Sequence, residues 1–176
     1  MINPAERRLI IENAFAYLAA FGMLVYGAGK WIQFEGASAK EVLVSEMTGM
    51  QLMWAFYGYS PAFALVLGAL EITGGVLLLI PRLRLFGCLL VSVVLVNIIL
   101  QDIFYEVHSG ALRAALVYQF SVLLILILRR EQVVNAIRAL WQGPELKFSK
   151  RALLIGTLSF ILFVGLRIAE YFLTRA

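Results

Sequence analysis

Among 176 residues there is a single cysteine, Cys88, and a single histidine, His108. A dithiol mechanism needs two thiols, so disulfide exchange within the chain is excluded. The lone histidine likewise excludes a bis-histidine haem, and no Cys/His spacing suits zinc. Gly27-Ala-Gly29 is not a nucleotide loop, because no strand precedes it and no third, helix-opening glycine follows. Charge is scarce too: charged residues make up 15% of the chain against 62% hydrophobic, with a mean hydropathy of +0.88. So little charge cannot clothe a soluble fold, and the solvent of this chain is therefore lipid.

What is present is long apolar runs. Five approach the ~20 residues that a helix needs to cross a bilayer, at 9–29, 61–80, 84–104, 111–128 and 152–173. The first begins after Arg7 and Arg8, which resemble the basic start of a signal peptide. Its apolar stretch is about twice as long as a signal sequence uses, and it contains Glu12 and Asn13, so a retained helix is expected. Pro81-Arg82-Leu83-Arg84 forces the second and third spans into an antiparallel hairpin, and Tyr105–Gly110 joins the third to the fourth as closely.

The net charge of +4 does not point to nucleic acid, because the basic residues lie between spans and not along one polar face. If the spans alternate, Arg7, Arg8, Arg82, Arg84, Arg129, Arg130, Arg138, Lys147, Lys150 and Arg151 share one side. The other side receives Lys30, Lys40, Arg113 and Arg175. That asymmetry predicts a cytoplasmic N-terminus and an outer C-terminus. The expected fold is an all-α integral membrane protein, a four-helix bundle with an appended fifth transmembrane helix.

Between the first two spans, 31–60 is too long for a simple turn. Ser38-Ala-Lys-Glu41 has capping-box spacing ahead of Val42, Leu43 and Val44, which predicts a short outer surface helix. The aromatic run Trp54–Tyr59 suits the aqueous boundary, and Ser60-Pro61 opens the next helix. Residues 131–142 place Val133, Val134, Ile137, Leu140 and Trp141 at helical spacing, an interfacial amphipathic helix that Gly143-Pro144 ends. The chain thus divides into a core over 1–130, the amphipathic helix over 131–142, and a linker with the fifth span over 143–176. In that span Arg167 and Glu170 neutralise each other at i, i+3.

A polar layer crosses the bundle. At ~100° per residue, Ala64, Gly68, Glu71 and Gly75 share a face whose small residues admit another helix, so Glu71 points inward and not into lipid. Glu12, Ala16, Ala19, Met23, Tyr26 and Lys30 form one stripe on the first span. Asn97, Gln101, Phe104 and His108 share a face of the third, and Gln119 lies in the fourth. Asn97 and Gln119 fall at roughly 10 to 12 Å from the outer surface and Glu71 at roughly 15 Å. Either this network only fixes helix register, or it lines a pocket with Asp102, Glu106, His108 and Arg113 at its outer mouth. His108 reads more simply as an interfacial hydrogen-bonding residue than as a catalytic or metal-binding one.

The string Tyr59–Arg84, "YSPAFALVLGALEITGGVLLLIPRLR", followed by Gly87, resembles the DoxX-like membrane proteins, as does the first-helix ending "FGMLVYGAGKW". The resemblance covers roughly 9–130 and implies a four-helix bundle in a bacterial inner membrane, loosely associated with redox chemistry and quinones. Glu71 and Lys30 hold the family-type positions. Tyr105–Gly110 departs from the family, where an Asp and a Lys commonly follow the third helix, and so does the fifth span, which suggests a partner surface. The leading expectation is an accessory, redox-associated subunit holding a quinone-like or other apolar ligand near Glu71, Asn97, Gln101, Gln119, Tyr26 and Lys30, with Met23 and Phe104 against its ring. The alternatives are a non-catalytic scaffold within a membrane complex or homo-oligomer, and a proton-linked transporter or lipid isomerase.

Overall fold

The computed structural model describes residues 2–37, 41–143 and 149–174. These contain seven α-helices and no strand: α1 (Pro4–Gln33), α2 (Gly49–Tyr59), α3 (Pro61–Leu79), α4 (Arg84–Phe104), α5 (Ser109–Leu128), α6 (Arg130–Trp141) and α7 (Lys150–Thr174). Helices α1, α3, α4, α5 and α7 are long and apolar enough to cross a membrane, so the chain is an all-α, multi-pass membrane protein. Ser38, Ala39 and Lys40 of the expected capping box lie outside the described residues, as do Pro144, Lys147 and Arg175.

The helix starts follow from local chemistry. Asn3 accepts the Glu6 N–H while the Glu6 carboxylate accepts that of Asn3, both at 2.8 Å, and Pro4 fills the first turn, where no N–H is needed. This box starts α1 ahead of its apolar run. Thr48 and Gln51 form the same reciprocal pair at the head of α2, so the whole aromatic run Trp54–Tyr59 is helical. Between 41 and 48 the structure has only a 3-10 turn, Val44–Glu46. Ser60 caps α3, with Pro61 in its first turn.

The chain forms two compact units, Met1–Asn135 and Ala136–Ala176, divided within α6. In the first unit α1 packs on α3, α3 on α4, α4 on α5 and α5 on α1, a closed square of four helices. Ala16, Ala19, Met23, Leu78, Cys88, Val91, Leu95, Val122 and Ile125 fill its centre. In the second unit every described residue of α7 is exposed, as suits a helix sheathed in lipid. Arg167 donates to Glu170 there.

Candidate ligand cavity

The four small or charged residues of the α3 stripe are all buried: Ala64, Gly68, Glu71 and Gly75. Gly68 meets Gly27 of α1 backbone to backbone. A Cβ added to Gly27 would stand 2.7 Å from the Gly68 carbonyl oxygen, and one added to Gly68 would stand 2.6 Å from that of Gly27. Only glycine fits such an approach. The two helices run antiparallel, so Lys30 lies beside Gly68 and Glu71 beside Gly27, and the closeness of the backbones puts Lys30 Nζ 3.3 Å from Glu71 Oε1. Lys30 also donates to Gln33 Oε1 at 3.1 Å and lies over the Phe34 ring, 5.6 Å from its centroid.

Beside this pair is a cavity of about 650 Å³, the size class of a small-molecule site. Its aromatic wall is shared between α2, the end of α1 and the start of α3. Tyr57 stacks on Phe34 at 4.8 Å between ring centroids and on Phe63 at 6.0 Å, and Trp54 meets Phe34 edge-on. Gln101 of α4 donates to the Tyr57 hydroxyl at 2.7 Å and to Asn97 Oδ1 at 2.5 Å. Burial pushes the Tyr57 phenol above its ordinary value against the opposing pull of Gln101, so it stays a neutral hydroxyl.

Glu71, Asn97, Gln101, Tyr26, Lys30, Asp102 and His108 all line this cavity, as does Met23. His108 in addition caps α5, its Nδ1 accepting the Gly110 N–H at 3.1 Å. Gln119, Glu106 and Arg113 are placed elsewhere. Gln119 lies one position past the lining residue Tyr118, hence ~100° around the helix, and its Nε2 donates to Ser92 Oγ at 3.3 Å. Arg113 folds back on Ser109, donating to its carbonyl and hydroxyl oxygens. Glu106 is exposed in the turn before α5, at a φ of 49°. Phe104 is 77% exposed and away from the lining.

Three lining residues carry a buried polar atom without a hydrogen-bond partner among the described residues: Glu71 Oε2, Asp102 Oδ2 and Trp54 Nε1. Glu71 is 2% exposed and Asp102 8%. Such atoms are rare in folded proteins because each costs about 1 to 3 kcal/mol, more for a charge. No three His, Cys, Asp or Glu residues among those described converge as metal ligands.

At the opposite end of the bundle lies a second polar cluster that the spacing of residues does not announce. Glu12 Oε1 accepts from Arg84 Nη1 at 2.6 Å and from Arg129 Nε at 2.7 Å, with Arg129 Nη2 ion-paired to it at 2.6 Å. Arg84, 1% exposed, also donates to the Leu78 carbonyl at 2.8 Å and to Asn13 Oδ1 at 2.9 Å. Arg129 donates to the Pro81 carbonyl at 2.8 Å. Arg84 therefore does more than mark an interface: it is a buried tie between α1, α3 and α4.

The chain is 32% identical over 131 residues to "Uncharacterized protein YwoB" of Bacillus subtilis (strain 168), covering 70% of this chain and 84% of that one. It matches no protein-family model. No solved structure matches it either.

Proposed function

From the premise that the chain belongs to the family of Bacillus subtilis YwoB, we propose that it is a membrane-embedded binding protein whose cavity takes one flat, ring-bearing, largely apolar molecule. The observation that carries this is the cavity of about 650 Å³ with Glu71, Asp102 and Trp54 on its lining, each holding a buried polar atom without a partner among the described residues. A merely structural network would pair such atoms. The aromatic wall of Phe34, Trp54, Tyr57 and Phe63 suits a ring of the size and flatness of a quinone.

The resemblance of Tyr59–Arg84 to the DoxX-like proteins supports a place beside redox chemistry in a bacterial inner membrane. The role there is accessory: one cysteine and one histidine supply no electron-carrying ligand set. The test is calorimetric titration of the full chain, in lipid nanodiscs, with menadione as a flat ring probe. Saturable binding to the wild type, lost when Ala111→Trp fills the cavity, is the expected result. Binding that is unsaturable, or indifferent to the filled cavity, removes the reading.

A further inference from the structure

Resting on that reading, we propose that the cavity is built for a protonated amine on an aromatic body, with Asp102 as its counter-ion. Two accounts converge on this, one of hydrogen bonds and one of charge. Lys30 engages Glu71 Oε1, which leaves Glu71 Oε2 and Asp102 Oδ2 as buried acceptors in need of donors. A quinone offers two carbonyl oxygens, which are acceptors themselves, and would leave both unpaired. An ammonium group offers N–H donors of the charge-assisted kind that carboxylates hold most strongly.

The charge account concerns the lining residues that titrate: Lys30, Glu71, Asp102, His108, Tyr26, Tyr57 and Tyr118. Lys30 and Glu71 cancel as a pair. His108 is taken up by the backbone, its Nδ1 accepting the Gly110 N–H. The tyrosines carry no positive charge in any state. Asp102 Oδ2 has no hydrogen-bond partner among the described residues, and a carboxylate in so apolar a setting is held best by a directly paired group of opposite charge. The aromatic wall favours the same partner, because the faces of Phe34, Tyr57 and Phe63 are electron-rich and attract cations. Lys30 already sits over Phe34 in this way.

The experiment titrates the full chain in lipid nanodiscs with 2-phenylethylamine, its near-isosteric alcohol 2-phenylethanol, and menadione, subtracting empty nanodiscs to remove partition into lipid. The amine is expected to bind at least about tenfold more tightly than the alcohol, the worth of one charge-assisted contact, and Asp102→Asn is expected to abolish that preference. Equal affinities for amine and alcohol overturn the inference while leaving the cavity reading intact. So does a preference that survives Asp102→Asn, and so does menadione binding more tightly than either. Should the variant not fold, the wild-type comparison of amine with alcohol decides alone. Saturable binding of none of the three probes overturns the cavity reading itself, and this inference with it.

Discussion

The two polar clusters of the bundle are built from the same materials and end in opposite states. Around Glu12, two arginines converge on one carboxylate, and their remaining donors reach Asn13, Gln132 and the Leu78 and Pro81 carbonyls. No buried side-chain atom of that cluster lacks a partner among the described residues. Around Glu71, one lysine meets one carboxylate, and Glu71 Oε2 and the neighbouring lining atom Asp102 Oδ2 stay unpaired beside a cavity. A buried ion pair alone says little about role, since desolvation offsets most of its attraction. What separates structure from binding here is whether the accounting of donors and acceptors closes. At Glu12 no buried side-chain atom is left over among the described residues; at Glu71 two carboxylate oxygens are, on the lining of the cavity.

Substitutions can break or sharpen that contrast. Arg84→Met should be the most damaging, because it strips a donor from the Leu78 carbonyl and leaves Glu12 half-compensated. Breaking a buried pair in this way costs about 3 to 5 kcal/mol, to be read as a lowered unfolding midpoint in mild detergent. If Arg84→Met proves as stable as the wild type, the inner cluster is not the structural tie described above. Gly68→Ala comes next, at about 1 to 3 kcal/mol, since its methyl would overlap the Gly27 carbonyl and drive α1 from α3. The same variant should weaken menadione binding by parting Lys30 from Glu71.

Glu71→Gln keeps size and hydrogen bonding but loses the ion pair. A cost of about 1 kcal/mol is expected, well below that of Arg84→Met in the same unfolding assay, together with loss of complementation in a deletion strain. A Gln variant that is stable and fully active would make Glu71 a structural residue and erase the contrast. Asp102→Asn should have the smallest effect on unfolding, within about 0.5 kcal/mol or slightly stabilising, because it removes a buried charge whose Oδ2 has no hydrogen-bond partner among the described residues.

How legible this was depended on how local the cause is. The spans could be read to within a few residues because hydropathy acts along the chain. Glu71 could be read as inward-facing because its small neighbours recur at helical spacing. Helix α2 was also within reach: Thr48-Gly-Met-Gln51 is itself a capping box, eclipsed by the one at Ser38. Gln119 was misplaced by one position, because depth along a helix says nothing of direction around it. The Glu12 cluster could not be read at all, for it joins residues 72 and 117 positions apart. Arg84 and Arg129 already had a sufficient explanation in charge asymmetry across the membrane.

Those separations bear on how the protein is made. A chain enters the membrane from its N-terminus, so α1 arrives carrying the Glu12 carboxylate long before either arginine has been synthesised. Until α4 follows, that carboxylate depends on water and headgroups at the membrane surface, and its last partner arrives only at the end of α5. Helix α1 is thus made well before the two arginines that compensate its carboxylate, and the Glu12 cluster can close only once α4 and the end of α5 are in place.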